Sequence, residues 1–390
     1  MTRHAISADL QETLNDLMYT KRLISQLLDI SHKSQSYSHP CLLKVFSMHH
    51  RFVRLILFLP CLFISLQASK SGSPLKFHQK LMGTDVTLVI DAEESEELQT
   101  AVVKAFAEGN RLNNILSDWE ADSELSIFSR SSRHGEYQRV SDELFEVLSF
   151  SRKLSTQTDG AFDITIGPLS RLWRIARHQK KLPSQYKIDQ CLLRAGYQKL
   201  ELLESNQSAR LTQKNMVLDL GAVAKGYIAD RMLAVLKDAG FARALIDAGG
   251  DLTIGDAPRF KKGWAVKIGG LANSSSKTIE LSNCAVATSG DLEQFLEING
   301  RVYSHIINPL TGYGLEGRAQ VSIVAENGML ADALASTCLV LGVDTSIAFL
   351  SGWSFYQMHY LQVDPKTNRS EEHTSELQSP CNLVCRLLLE

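Results

Sequence analysis

The chain has 390 residues and a formal net charge of −2, with 44% hydrophobic and 22% charged residues. These proportions are typical of a soluble globular protein. A nucleic-acid-binding protein usually presents a strongly basic face, and a near-neutral balance gives no sign of one. The composition therefore argues against DNA or RNA as a partner.

Residues 48–69 predict a secretory signal peptide. Arg51 and Arg54 precede an apolar run at 55–66, which has the length of a signal-peptide core and is short for a membrane span. Because a signal peptide stands at an N-terminus, we predict that residues 1–47 lie upstream of the true start or form a disordered extension. A retained membrane anchor or a buried helix is the alternative for the apolar run.

The other end of the chain predicts a tail without a function of its own. Residues 369–379 resemble the translation of a sequencing-adapter oligonucleotide, so we interpret residues 369–390 as an artefactual tail. The folded unit is then expected at residues 70–368. Three cysteines remain in that range, and an odd number without metal-ligand spacing implies no disulfide framework.

Hydrophobic spacing in the central region predicts alternating strands and helices. It predicts strands at 84–90, 216–220 and 242–247 and helices at 94–116, 142–157, 223–239 and 329–341. Gly240 and Gly342 stand where a helix-ending glycine is expected. The pair Asn299-Gly300 predicts a hairpin between strands 295–298 and 301–307. Together these elements predict a mixed α+β domain with hairpins and crossover units.

The turn before the helix at 223–239 is a candidate phosphate site. A helix that follows a glycine turn offers free N–H groups and the positive end of its dipole, and both favour an anion. Lys225 in the first turn would add positive charge. The alternative is a structural joint between a strand and a helix, because such turns are common.

Asp332 and Ser336 are a candidate metal pair. They stand four residues apart in the helix predicted at 329–341, so both side chains face the same side. A carboxylate with a hydroxyl is the hard-oxygen ligation that suits Mg²⁺. The alternative is a helix N-terminal Asp favoured by the dipole, with a small Ser packed in the core.

Two further positions are candidates for chemistry. His305 stands near the end of a predicted strand and could act as a general base, although a strand histidine is often structural. Asp163 follows Phe162 in the segment 160–165, and a carboxylate beside an aromatic ring is compatible with contact to a flavin or nucleotide. A loop that leads into a strand would show the same pattern.

Seven short segments occur in order along the chain: Met82-Gly83-Thr84, Gly160-Ala161-Phe162-Asp163, Asp219-Leu220-Gly221-Ala222-Val223-Ala224-Lys225-Gly226, Asp247-Ala248-Gly249-Gly250-Asp251, Thr288-Ser289-Gly290-Asp291, Ser304-His305-Ile306-Ile307-Asn308-Pro309 and Ala331-Asp332-Ala333-Leu334. Together they resemble the signature of the ApbE family of flavin transferases. Seven collinear matches are hard to obtain by chance. The resemblance implies an ApbE-like, T-fold-like single catalytic unit of the α+β class, with mixed β-sheets flanked by helices.

The resemblance also implies an activity and a location. Family members are Mg²⁺-dependent FAD:protein FMN transferases, which split the pyrophosphate of FAD, release AMP and join FMN through a phosphoester to a Thr or Ser hydroxyl. Typical acceptors are subunits of sodium-pumping or related electron-transport complexes. The expected location is the periplasmic side of the bacterial inner membrane, in agreement with the predicted signal peptide. Membrane association through the N-terminal segment is a further expectation.

Site residues follow from the resemblance, position by position. The FAD site would be lined by Met82, Trp119, Ala161, Phe162, Asp163, Asp219, Lys225 and Ile306. The metal would be held by the Ala222 carbonyl, Asp332 and Ser336, the last standing where the family usually has Thr. His305 is the first choice for the base that accepts the proton of the acceptor hydroxyl, and Asp291 is the second.

Two other functions use the same residues. An FAD pyrophosphatase would release free FMN and AMP, because water would replace the protein hydroxyl. A periplasmic flavin-binding protein without enzymatic activity would bind FAD unchanged. The acid and hydroxyl at Asp332 and Ser336 argue against this last alternative, since they keep the ligands that a metal needs.

Overall fold

The computed structural model describes residues 73–131, 135–269, 276–290, 295–298, 300–353, 357–363 and 370–376. All of them belong to one contact unit, residues 64–390. The predicted signal peptide and the extension before it lie outside the described residues, and so does Asp291. Of the tail predicted from residue 369 onward, residues 370–376 are described, and they form a strand.

The described residues contain eight α-helices. They are α1 (Glu96–Leu116), α2 (Glu124–Ser131), α3 (Asp142–Gln157), α4 (Gly167–Gln179), α5 (Gln185–Leu192), α6 (Ala224–Asp238), α7 (Gly328–Leu341) and α8 (Val343–Leu350). Polar side chains cap several of them, as helix starts require. Ser95 accepts a hydrogen bond from the backbone N–H of Leu98, and Asn327 accepts one from that of Leu330.

Strands make up one large sheet and three small ones within the described residues. They are β1 (Leu75–Leu81), β2 (Thr84–Ile90), β3 (Gln138–Arg139), β4 (Leu200–Leu203), β5 (Ser208–Leu211), β6 (Ala244–Ala248), β7 (Asp251–Ile254), β8 (Trp264–Gly269), β9 (Ser276–Leu281), β10 (Cys284–Gly290), β11 (Phe295–Ile298), β12 (Arg301–Ile307), β13 (Gly314–Glu316), β14 (Arg318–Ala325), β15 (Gln357–Val363) and β16 (Ser370–Glu376). The large sheet has the order β1-β2-β6-β7-β10-β14-β15-β16, and every neighbouring pair in it is antiparallel.

A main core forms where the large sheet is covered by helices. Helix α6 contacts β6 and β7, and α7 contacts β10 and β14, while α1 packs against α6. The apolar stripe of α1 is fully buried in this core, at Leu98, Val102, Ala105 and Leu112. Burial of such side chains contributes about 1.5–3 kcal/mol each to folding, so this layer is the principal source of stability.

A separate second core joins α4 and α5 to the sheet β11-β12-β13. It contains Leu169 and Trp173 from α4 together with Tyr303 and Ile307 from β12. The Trp173 indole N–H donates a hydrogen bond to the Gly312 carbonyl at 2.8 Å, which satisfies its one polar atom in an otherwise apolar setting. This core fixes α4 relative to β12, two elements that both reach the site described below.

The α+β class is confirmed, and most predicted elements are found within a residue or two of their expected bounds. The hairpin is also confirmed, with Ile298 opposite Arg301. The strand predicted at 216–220 is wrong. Met216, Leu218 and Leu220 are buried alternately as in a strand, yet the segment makes only an isolated parallel bridge from Val217 to Ile166. The described sheets are antiparallel rather than mixed, because the expected crossover depended on that strand.

No helix in the described part of the chain is both long enough and apolar enough to cross a bilayer. The three cysteines described are free.

Candidate active site

One cleft of about 1130 Å³ gathers nearly all of the predicted site residues. It is lined by Met82, Trp119, Ala161, Phe162, Asp163, Asp219, Ala222, Lys225, His305, Ile306, Asp332 and Ser336. Its two sides come from the two cores. We call the side formed by α6, α7 and β10 the main-core wall, and the side formed by α4 and β12 the second-core wall. Asp291 lies outside the described residues and stays a prediction.

An ion-pair cluster with two buried carboxylates lies on the main-core wall. Lys225, in the first turn of α6, forms an ion pair with Asp251 of β7, and its Nζ lies 3.6 Å from Oδ1 of Asp332 on α7. The other oxygen of Asp332 accepts a hydrogen bond from the backbone N–H of Gly226 at 3.3 Å. Asp332 is only 2% exposed. Two carboxylates thus face one ammonium, so the cluster keeps an excess of negative charge when all three are ionised.

The pKa values in this cluster follow from burial and from the opposed charges. Burial raises the pKa of Asp332 above its ordinary value, and the nearby Lys225 offsets only part of that rise. For Lys225, burial acts to lower the pKa, but the carboxylates of Asp332 and Asp251 outweigh it and raise the pKa. Lys225 therefore stays protonated, and Asp332 is the group whose ionised form is least favoured.

A close helix crossing sets the distance between Lys225 and Asp332. A Cβ at Gly226 of α6 would lie 2.0 Å from the carbonyl oxygen of Gly328, at the start of α7. Only a residue without a side chain permits this approach. The start of α7 is held by Asp230, whose carboxylate accepts the backbone N–H groups of Gly328 at 2.7 Å and Met329 at 2.9 Å.

Further oxygen atoms stand beside the cluster. The hydroxyls of Ser289 on β10 and Ser336 on α7 are hydrogen-bonded to each other at 2.9 Å. Ala222, in the turn before α6, lines the same wall. No group of three or more His, Cys, Asp or Glu side chains that could hold a metal occurs among the described residues. The predicted metal set is of another kind, one carboxylate with a hydroxyl and a backbone carbonyl, and its role stays a prediction.

Met82 reaches the cleft from a strained turn. The hairpin that joins β1 to β2 turns at Met82 and Gly83, with φ values of 54° and 72°. The left-handed region is unfavourable for a residue with a side chain, by about 1–2 kcal/mol. The turn nevertheless places Met82 at the cleft, where it also packs against the main core.

A second charged cluster bridges the two walls, and its central residue was not predicted. Arg174 of α4 donates to Asp118 at 2.8 Å and to Asp219 at 3.4 Å. Its guanidinium also lies 4.0 Å from the centre of the Trp119 ring, which is 74% exposed. Asp118 follows the end of α1, and Asp219 stands between two residues of the main core, Leu218 and Leu220. Arg174 therefore connects the second core to the main core. The arginines of α4 recur every three residues, at 171, 174 and 177, which the sequence does show. The acids that pair with Arg174 stand 45 and 56 positions away, so the pairing itself could not be predicted.

Asp118 was likewise missed, and its environment is unusual. Burial and the neighbouring Asp219 carboxylate raise the pKa of Asp118, while Arg174 acts in the opposite direction. Two carboxylates sharing one guanidinium leave a surplus of negative charge here as well. Asp219 is fixed from its own side, because one of its oxygens accepts the backbone N–H of Gly221 at 2.9 Å.

Asp163, which lines the cleft, forms hydrogen bonds within its own loop. One oxygen accepts both the backbone N–H and the hydroxyl of Thr165, each at 2.7 Å. The Thr165 hydroxyl oxygen in turn accepts the N–H of Gly196, also at 2.7 Å. Burial raises the pKa of Asp163 despite these bonds. Asp163 thus holds Thr165 and, through it, Gly196, and the predicted contact with a flavin stays a prediction.

The floor of the cleft contains a polar atom that lacks a partner. Gln320 of β14 is 5% exposed and lines the cleft, and its side-chain carbonyl oxygen has no hydrogen-bond partner among the described residues. A buried acceptor without a donor costs about 1–3 kcal/mol. His305 and Ile306 of β12 line the same cleft.

Comparison with solved structures defines the class of protein. The flavin transferase ApbE from Vibrio cholerae superposes with a TM-score of 0.69 at 25% identity, covering 78% of this chain and 97% of that one. The apbe protein from Thermotoga maritima superposes with a TM-score of 0.68 at 26% identity, covering 77% and 96%. The fold is thus that of solved ApbE proteins, one of them a flavin transferase.

Sequence comparison then identifies the family. The ApbE family model matches residues 82–358. A protein named FAD:protein FMN transferase from Klebsiella pneumoniae is 31% identical over 274 residues, which are 69% of this chain and 83% of that protein. Another of that name from Escherichia coli K12 is 29% identical over 261 residues, 65% of this chain and 73% of that protein. The chain belongs to the ApbE family.

Proposed function

We propose that the protein transfers FMN from FAD to an acceptor protein. The observation that carries this proposal is that residues from segments as distant as Met82 and Ser336 meet in one cleft, on elements of two separate cores. The cleft is large enough for a dinucleotide. It combines an exposed aromatic ring with a charged cluster that has a surplus of negative charge. Flavin transferases that resemble this chain in sequence and fold support the same assignment.

Trp119 suits the recognition of FAD. One face of the Trp119 ring is covered by Arg174, and the ring remains largely exposed for stacking by an aromatic group of the ligand. The flat rings of FAD supply such a group.

The main-core wall fits a Mg²⁺ ion in its chemistry. Asp332, the Ser336 hydroxyl and the Ala222 carbonyl would hold it, and all three supply hard oxygen ligands. The excess negative charge around Lys225 also favours a cation. When bound, Mg²⁺ neutralises negative charge on the pyrophosphate.

The transfer step requires a proton acceptor, and we assign that role to His305, which lines the cleft. The acceptor hydroxyl oxygen forms a bond to the FMN-side phosphorus, while the bond from that phosphorus to the bridging oxygen breaks. AMP leaves with the bridging oxygen, and the hydroxyl proton passes to the imidazole of His305. The result is FMN joined through a phosphoester to a Thr or Ser side chain.

The location and the acceptor belong to the same proposal. The predicted signal peptide at 48–69 supports export to the periplasmic side of the inner membrane, with membrane association if that segment is retained. A subunit of a sodium-pumping or related electron-transport complex is the acceptor that we propose there. Such subunits carry flavin and would present a Thr or Ser to the cleft.

A gel assay tests the transfer. The protein is incubated with FAD, Mg²⁺ and a candidate acceptor domain, and the denaturing gel is read for flavin fluorescence on the acceptor. We expect a fluorescent band and released AMP. Free FMN and AMP without a band would instead establish a pyrophosphatase, and unchanged FAD would establish a binding protein.

The variant Asp332→Asn tests the metal-side assignment within that assay. It keeps the size of the side chain and removes one charge, and we expect the rate of adduct formation to fall about 100-fold or more. Asp344→Asn on α8 is the matched control, because Asp344 is exposed and does not line the cleft. Full transfer by Asp332→Asn would overturn the assignment of Asp332.

A further inference from the structure

The charges that line the cleft do not match an anionic substrate. Its carboxylates among the described residues are Asp118, Glu120, Asp163, Asp219 and Asp332, and its Lys and Arg side chains are Arg174, Arg177 and Lys225. A dinucleotide brings a negatively charged pyrophosphate into this surplus of acid. A cation whose charge is not already used by the protein is therefore the group to look for.

Two of the three cations are already paired. Lys225 contacts Asp251 and Asp332, and Arg174 contacts Asp118 and Asp219. Arg177 differs from both. It is partly buried, it lines the cleft, and no carboxylate of the described residues offsets its charge. Burial lowers the pKa of Arg177, and the neighbouring Arg174 lowers it further.

We propose that Arg177 binds a phosphate group of the dinucleotide substrate, with Arg174 beside it on α4. The inference rests on the proposed function and deepens it. Residues three apart on a helix are neighbours, so the two guanidinium groups share one face of α4. Guanidinium suits phosphate because its planar N–H groups form two parallel hydrogen bonds to phosphate oxygens.

The two arginines have different roles. Arg174 is neutralised by two acids and holds Trp119 and Asp219 in place. Arg177 keeps its charge available, and the acids around Arg174 reduce the repulsion between the two guanidinium groups. The bound phosphate belongs to either the AMP half or the FMN half of FAD, and the chemistry of binding is the same for both.

A structural role for Arg177 makes a different prediction. Arg177 stands in the last turn of α4, where a cation is favoured by the helix dipole. A residue kept only for that reason would lower stability when replaced and would leave ligand affinity unchanged. A phosphate-binding arginine would show the reverse, since its removal takes an uncompensated charge out of a partly buried place.

Binding measurements on the whole protein separate these roles. The dissociation constants of two matched ligand pairs, AMP with adenosine and FMN with riboflavin, are measured for the wild type and Arg177→Met. We expect Arg177→Met to weaken the phosphorylated member of one pair about tenfold, as for loss of a charged hydrogen bond. The member without phosphate should change less than about twofold, and the pair affected identifies the phosphate. Unchanged affinity for both phosphorylated ligands would overturn the proposal.

Arg171→Met is the matched control, because Arg171 lies on the same helix, is exposed and does not line the cleft. An equal loss in Arg171→Met would reduce the effect to general electrostatics and would also overturn the proposal. If Arg177→Met does not fold, Arg177→Lys takes its place, with an expected loss between those of the wild type and Met. A wild type that binds phosphate through Arg177 but forms no adduct would contradict the transferase, and leave this inference standing.

Discussion

The two walls of the cleft are built in different ways. On the main-core wall, the spacing of Lys225 and Asp332 is set by two helices that touch through Gly226 and Gly328 in the buried core. On the second-core wall, backbone contact between Gly167 and Val217 joins the start of α4 to a segment buried in the main core, and the ion pairs of Arg174 join its middle at the edge of the cleft. Helix contact sets the spacing of the charged groups on the first wall, and side-chain charge adds to backbone contact on the second. A single site can thus combine charged groups spaced by a helix crossing with charged groups that hold one another.

The largest effect on stability is expected from Gly226→Ala, which disrupts the helix crossing of the main-core wall. The new Cβ would lie 2.0 Å from a backbone oxygen and 2.7 Å from the backbone nitrogen of Met329, so the helices must separate. We expect a loss of about 3 kcal/mol or more in the free energy of unfolding, measured with denaturant. Gly352→Ala is the control, because its nearest neighbouring atom would be 3.9 Å away. Equal stability of the two variants would show that the helix crossing tolerates expansion.

A smaller effect is expected from the titration of Asp230, which holds the start of α7. Burial raises the pKa of Asp230 from 3.8 to about 6, despite its bonds to two N–H groups. A raised carboxyl pKa means that the folded state binds the proton more tightly. The contribution is therefore present below pH 3.8 and is lost as the pH rises through about 6.

The measurement compares the wild type with Asp230→Asn across that window. Relative to the variant, the wild type should lose about 2–3 kcal/mol of unfolding free energy between pH 4 and 7, since one unit corresponds to about 1.4 kcal/mol. The same comparison with the exposed Asp344→Asn supplies the baseline. A wild-type-to-variant difference that does not change with pH would contradict the raised pKa.

The smallest change in stability is expected from Arg174→Met on the second-core wall. The ion pairs of Arg174 are partly exposed and screened, so their loss should lower the unfolding free energy by only about 1 kcal/mol. The local environment should change more, because Trp119 loses the guanidinium over its ring and its fluorescence should shift. Arg171→Met should leave that fluorescence unchanged. A stability loss as large as that of Gly226→Ala would erase the contrast between the walls.

The predicted part of the site is the part recorded in short segments. Met82, Lys225, Asp332 and His305 stand within motifs whose order along the chain indicated the family, and the fold brings them to one cleft. The elements that carry them were also predictable, because the sequences of α6 and α7 are rich in apolar residues and a glycine follows each of them closely, at Gly240 and Gly342. At these positions the short sequence motif was enough to predict that the residue belongs to the site.

The unpredicted part of the site depends on contacts between residues that are far apart in the sequence. Asp118 and Arg174 are 56 positions apart, and nothing in either neighbourhood indicates the other. The segment 216–220 failed for a related reason: its alternate burial matches a strand, but a strand also needs a neighbour, and only Val217 finds one. Gln320 gave no signal, because an unsatisfied oxygen is a property of its surroundings.

The turn at Met82 places a limit on how stable this protein can become without loss of its site. A two-residue hairpin with both φ values positive is most comfortable with Asn-Gly, and replacing Met82 with Asn would relieve the left-handed strain. The same change would withdraw the side chain that lines the cleft. A selection for heat resistance alone would therefore favour a shorter side chain at this edge of the cleft, at the expense of the residue that now lines it.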